Sequence, residues 1–365
     1  MRIGARAAAL CCCLAAAACT TVPRPQAFRE TSAAWPPDTR ASRDDGRARF
    51  RSVFCDLIEA SGDAPGPRNG CGALLWHLAD EPAAGAEHRP LPPLPERVRV
   101  FVVSGAFGDC RDHDTIPFGD AIDRLAAAGV PVRAVMVSGR SSAERNAAQL
   151  AAAVREAGVA EDEHIVMFGY SKGAVDILQF LVDFPDLAQR VVAVVSVAGP
   201  IYGSPLAESA DGWYRHLFRD SFAGLCDPGD GGVISSLLPA VRRDWIESHP
   251  LPGHVRFYSI AAFPTRRHLA RGLELSWQLL ATTDPRNDGQ VLVGDALIPG
   301  STLLGYVNAD HWDIAIAVER QMPIFSGRPS DRQFPRDALF EAMLRYVGET
   351  LPTAAGVSDA RAAGR

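Results

Sequence analysis

The chain has 365 residues, 47% of them apolar and 22% charged, a composition that excludes an intrinsically disordered protein. Its formal net charge of −6 lacks the basic excess of a nucleic-acid-binding face, so no nucleic-acid partner is expected. No run of about 20 apolar residues occurs, which excludes a polytopic helical membrane protein.

Residues 1–18 read as a secretory signal: Arg2 and Arg6 precede an apolar run over residues 7–18 that is too short to span a bilayer. Ala16-Ala17-Ala18-Cys19 resembles the lipobox of bacterial lipoproteins, which implies acylation of Cys19, a membrane anchor, and a place in the periplasm or cell envelope. Ordinary cleavage after an A-x-A site is the alternative. Residues 19–48, rich in Arg, Pro, Ala and Thr, read as a tether, and residues 351–365 as a disordered tail. Four cysteines follow Cys19, and in an oxidising compartment they imply two disulfides, expected as Cys55–Cys71 and Cys110–Cys226. No C-x-x-C occurs among them, so no metal site is expected there.

The folded part is expected over residues 49–350, and from about residue 97 apolar strands alternate with helices. Strands are predicted over 98–103, 132–137, 165–168, 191–197 and 255–261. Helices are predicted over 117–129, from an N-cap at Ser141 to Ala157, over 174–184, and over 336–348. This alternation predicts an α/β fold, a mostly parallel sheet with helices on both faces. Residues 203–250 break the rhythm with Gly, Asp and Pro clusters and short helices. They are expected to form a cap or lid inserted over the C-terminal edge of the sheet, where ligands of such folds bind.

Gly169-Tyr170-Ser171-Lys172-Gly173 lies between a predicted strand and a predicted helix. This G-x-S-x-G places a serine on a sharp turn, with glycines where side chains would collide, and it makes Ser171 the candidate nucleophile. A serine needs a base, and the base an orienting carboxylate, in the chain order Ser, acid, His. His311, in Asn308-Ala309-Asp310-His311-Trp312, follows the last plausible strand. His216, His249, His254 and His268 fall in the insertion or in structural positions. Asp288, in the turn Asn287-Asp288-Gly289, is the acid, with Asp284, Asp295 and Asp310 as rivals. The oxyanion-hole amides are expected from Lys172 and from Ala106 or Phe107, in a loop whose Gly105 and Gly108 allow close approach. His113 reads as a solvated loop residue.

These features resemble the α/β-hydrolase superfamily, especially secreted bacterial lipases and esterases, over about residues 97–350. The resemblance rests on GYSKG at 169–173, on AGPIYGSPLA at 198–207, and on NDG at 287–289 with His311 downstream. It implies a Ser171–Asp288–His311 triad that cleaves carboxylic esters through an acyl-enzyme, on small-molecule or lipid esters and without a cofactor. Tyr170 stands where many lipases carry His, as in cutinase-like and polyester-cleaving hydrolases, and Gly105-Ala106-Phe107-Gly108 replaces the His-Gly oxyanion signature. Some such lipases hold calcium near the histidine, but Asp313 has no evident second ligand. Tyr170, Trp213 and Phe218 are the candidate pocket residues. Together with Tyr214, Leu217, Phe222 and Trp245, the aromatics of the insertion would either cap an acyl pocket or pack a small core of their own. The alternatives are a non-catalytic envelope lipoprotein that keeps the fold, or a thioesterase, amidase or phospholipase using the same triad.

Overall fold

The computed structural model describes residues 44–61, 71–78, 80–83, 89–110, 116–209, 227–321 and 334–351. Cys19, His113, Trp213, Tyr214, His216, Leu217, Phe218, Phe222 and Cys226 lie outside them, as do the signal segment and the C-terminal tail.

The strands are β1 (Asp44–Asp45), β2 (Val98–Val103), β3 (Val132–Val135), β4 (His164–Tyr170), β5 (Val191–Val197), β6 (Arg256–Ala262) and β7 (Thr302–Val307). The longer helices are α1 (Arg47–Ser61), α2 (Gly119–Ala127), α3 (Ala143–Glu156), α4 (Lys172–Asp183), α5 (Pro239–Ser248), α6 (Glu274–Ala281) and α7 (Arg336–Thr350). The strands form one seven-stranded sheet in the order β1-β7-β6-β5-β4-β2-β3, and every pairing is parallel.

The two-residue period of a strand divides the core between the faces of this sheet. Val100, Val102, Val166 and Phe168 point to one face, where Phe50 and Phe54 of α1, Leu125 of α2 and Phe340 of α7 cover them. Phe101, Val103, Ile165 and Met167 point to the other, under Leu150 of α3 and Ile177 and Leu178 of α4. Both faces are buried, so the strands read as continuous apolar runs.

Two local expectations are corrected and one helix is added. The N-cap of α3 is Ser142, whose hydroxyl accepts from the Arg145 amide, while the Ser141 hydroxyl bonds Ser138. Asp44 and Asp45, inside the stretch read as a tether, pair with Thr302 and Leu303 of β7. The N-terminal helix α1, unassigned from sequence, carries Phe50, Val53, Phe54, Leu57 and Ile58 at helical spacing, all buried. Cys55 of this helix is bonded to Cys71 as expected. Cys110 is also disulfide-bonded; Cys226, its expected partner, is outside the described residues.

Of residues 203–250, the described parts are 203–209 and 227–250. They lie against loops that follow the strands. Asp230 accepts from the Ser142 amide (2.8 Å) and hydroxyl (2.6 Å), and Ser236 accepts from the Ala143 amide (3.0 Å). Trp245 is buried against the main core beneath α3 and α4, with the Arg242 guanidinium over its ring, so it packs the body of the protein rather than an acyl pocket.

Candidate active site

The chain order of the strands reverses between β2 and β4, and the crevice outside their C-terminal ends is where a parallel sheet binds ligands. Val103 of β2 is in register with Gly169 of β4, so the loop after β2 and the turn after β4 leave the sheet side by side.

Ser171 forms that turn. Its backbone sits at φ 53°, ψ −131°, a conformation that costs a non-glycine residue on the order of 1–3 kcal/mol and survives only where its surroundings impose it. The surroundings are tight. A Cβ at position 169 would lie 2.4 Å from Ala174 Cα, and one at position 173 would lie 2.5 Å from the Val103 carbonyl oxygen. Glycine is required at both, which is the steric content of the G-x-S-x-G pattern. A Cβ at Gly105 would lie 2.8 Å from Ser171 Cβ, so the loop after β2 passes directly over the serine.

Ser171 Oγ lies 2.8 Å from His311 Nε2, and His311 Nδ1 lies 2.7 Å from Asp288 Oδ2. A neutral ring with its proton on Nδ1 satisfies both contacts, donating to Asp288 and accepting from the Ser171 hydroxyl. The Asp288 carboxylate is held by its own turn: Oδ1 accepts from the amides of Gln290 (2.8 Å) and Val291 (2.7 Å), and Gly289 supplies the left-handed φ of 95°. Both Asp288 and His311 are buried.

His311 follows β7, three strands from β4 and thus about 14 Å away at a spacing of about 4.8 Å per strand. Three bonds hold its loop across that gap. The His311 amide donates to the Asp288 carbonyl (2.9 Å), the Tyr170 hydroxyl donates to the His311 carbonyl (2.6 Å), and Asp310 Oδ2 accepts from the Ala270 amide (2.7 Å). Tyr170, read from sequence as a pocket residue, thus ties the loop of His311 to the end of β4. It is buried, its ring packs beside that of His311, and burial together with the charges of Asp288 and Asp310 pushes its hydroxyl well above the usual tyrosine range.

The rival residues are engaged elsewhere. Asp284 grips the Arg286 guanidinium at 2.7 Å, and Asp310 Oδ1 accepts from the amides of Trp312 and Asp313. Asp295 ends a buried turn. His249 stacks on Trp245 and His254 bonds the Ala188 carbonyl. His268 lies in a short turn, and burial lowers its pKa. Asp313 pairs with Arg336 at 3.0 Å.

The amides near the serine are also sorted. Phe107 is removed from the candidate oxyanion donors, because its N–H is given to the Gly139 carbonyl at 3.1 Å. Asp109 braces the same contact by accepting from the Gly139 amide at 2.7 Å. Ala106 is the remaining candidate from this loop, and Lys172 opens α4 directly after Ser171. No sequence signal separated Ala106 from Phe107, since the choice depends on a loop more than 30 residues away.

A serine on a strand–helix elbow, an imidazole from a late loop and a carboxylate from the turn between them, all at the C-terminal edge of a parallel sheet, define the α/β-hydrolase architecture. The chain is similar to the metagenomic carboxyl esterase MGS0156 at 37% identity, over 88% of this chain and 97% of that one, with a TM-score of 0.75. It accordingly belongs to the carboxyl esterases of α/β-hydrolase fold and is a carboxylic ester hydrolase. Two more distant structures are the mature Bacillus licheniformis lipase BlEst2 and the Paleococcus ferrophilus monoacylglycerol lipase. The first is 18% identical over 66% of this chain and 96% of that one, TM-score 0.48, and the second 14% identical over 70% and 96%, TM-score 0.38. No protein-family model and no curated protein matches the chain.

Proposed function

We propose that Ser171, His311 and Asp288 are the catalytic triad and that the ester is cleaved through an acyl-enzyme. The Ser171 hydroxyl attacks the ester carbonyl while His311 Nε2 takes its proton, and Asp288 keeps the ring in the tautomer that makes this possible. The carbonyl oxygen becomes an oxyanion, to which the amides of Lys172 and Ala106 donate, helped by the positive end of α4. The tetrahedral species collapses, His311 protonates the departing alcohol, and a water activated by the same ring releases the acid. The observation that carries this reading is the continuous chain from Ser171 Oγ through His311 to Asp288 at 2.8 and 2.7 Å. The same chain argues against a purely binding role, since a scaffold without chemistry has no use for a strained serine beside a base.

The test is hydrolysis of p-nitrophenyl esters of increasing acyl length, with Ser171→Ala as the blank. The variant is expected to keep its fold and to lose at least about 10⁴-fold in kcat. Turnover at the wild-type rate would refute the assignment. The panel also sets the acyl-length preference, and thioester, amide and phospholipid substrates added to it separate the other hydrolase classes.

The N-terminal signal and the Cys55–Cys71 bond support export to the periplasm or cell envelope, with lipid attached at Cys19. Radiolabelled palmitate is expected to be incorporated by the full chain in a bacterial host and not by Cys19→Ala. Equal labelling of both would overturn the anchor.

A further inference from the structure

The only lysine of the chain is buried and immediately follows the candidate nucleophile. Lys172, the first residue of α4, is 0% exposed, and its Nζ lies 2.5 Å from Asp176 Oδ1, one turn along the same helix. Asp176 is also 0% exposed, and its other oxygen accepts from Asn146 Nδ2 of α3 at 2.9 Å. Burial pushes the Asp176 carboxyl up, and the charges of Lys172 and Arg242 draw it back down. The rest of the buried face of α4 is largely apolar.

Packing alone does not account for such a pair. A buried ion pair is often no more stabilising than well-packed apolar residues of the same volume, because both charges must leave water. Its place on the helix supplies a reason. The first turn of α4 carries the Lys172 amide and follows the strained Ser171. On one side Gly173 presses this turn onto the end of β2, with no room for even a methyl group against the Val103 and Ser104 carbonyls. On the other side Asn146 ties it to α3 through Asp176 and the Lys172 side chain. The turn is clamped from both directions, and a strained elbow needs such over-determination to persist.

We propose that Lys172 and Asp176 are positioning residues for ester hydrolysis: their buried pair, tied to α3 by Asn146, fixes the first turn of α4 and so aims the Lys172 amide at the developing oxyanion. The proposal rests on the reading of Ser171 as nucleophile.

The experiment uses the full chain carrying Lys172→Met together with Asp176→Asn, which removes both charges and leaves Asn146 an acceptor. Thermal unfolding, kcat and KM for p-nitrophenyl butyrate, and affinity for a trifluoromethyl ketone are measured. The ketone is captured by an active serine as a hemiketal whose oxyanion occupies the hole. The variant is expected to fold, to lose about 10- to 100-fold in kcat with KM within about three-fold, and to bind the ketone more weakly by the factor lost in kcat/KM. A folded variant with wild-type kcat, a loss carried by KM, or a loss of kcat with unchanged ketone affinity would overturn the proposal. If the double variant does not fold, Asn146→Ala, which leaves the charges paired and cuts only the tie to α3, is expected to lose about three- to ten-fold in kcat, and an unchanged kcat there overturns it. A wild-type enzyme that the ketone does not inhibit would instead refute the reading of Ser171. Inhibition of the wild type together with full activity of the variant refutes only the positioning role.

Discussion

The active centre is built from single atoms that other residues leave room for. Gly105 is the clearest case, because a methyl group there would lie 2.8 Å from Ser171 Cβ and 3.3 Å from Oγ. Gly105→Ala must therefore displace the nucleophile or the loop that carries the Ala106 amide. It is expected to reduce kcat about 100-fold, as a displacement near 1 Å does, while the melting temperature falls only slightly. Wild-type kcat in this variant would show that the loop and the serine are not in the contact described. At this scale the residues of the proposed triad could be nominated from sequence: Ser171 by the steric logic of G-x-S-x-G, Asp288 by the Asn-Asp-Gly turn, and His311 only by its place after the last strand. The residues around them were not legible in this way. Tyr170 reads only as a pocket aromatic, with nothing to signal that its hydroxyl bonds the His311 carbonyl, and Phe107 reads as an oxyanion donor until its amide is seen bonded to Gly139. Each role depends on a partner far along the chain, and no local pattern encodes it. Lys172 and Asp176 had a weak signal in their i,i+4 spacing, but that spacing is equally common on solvated helix faces.

Among the elements, legibility follows length and apolar period. The strands over 98–103 and 191–197 appear at their predicted bounds, since long apolar runs leave no alternative. The two-residue β1 was invisible: Asp44 and Asp45 are poor strand formers, and only the exposed edge of β7 recruits them. The amphipathic pattern of α1 was present, but only its first two residues fell in the stretch read as a tether, and the helix itself was not assigned. This helix is stapled by Cys55–Cys71, whose sulfurs close a loop between residues 16 apart. Loops of about that size contribute roughly 3 kcal/mol through restriction of the unfolded chain. The double change Cys55→Ser, Cys71→Ser is expected to lower unfolding free energy in denaturant by roughly 2–4 kcal/mol and to leave kcat unchanged where the protein stays folded. Among the described residues, none of the bonds that hold Ser171, Asp288 and His311 runs through α1. A loss of activity without loss of stability would contradict this separation.

For the whole molecule, the sheet order explains why three residues spread over 140 positions meet. Ser171 leaves β4, Asp288 lies between β6 and β7, and His311 leaves β7, all at the same edge. The chain order Ser, acid, His was readable; the convergence was not, because it depends on the reversal between β2 and β4 and on the span of His311 across β5 and β6. The most direct test of that convergence is to find where a fluorophosphonate, which captures only an activated serine, becomes attached. Peptide mass spectrometry of the inactivated wild-type protein is predicted to find one adduct, on Ser171, formed in step with the loss of ester hydrolysis and absent from His311→Ala. An adduct on another serine, or undiminished hydrolysis by protein fully labelled at Ser171, would contradict the account.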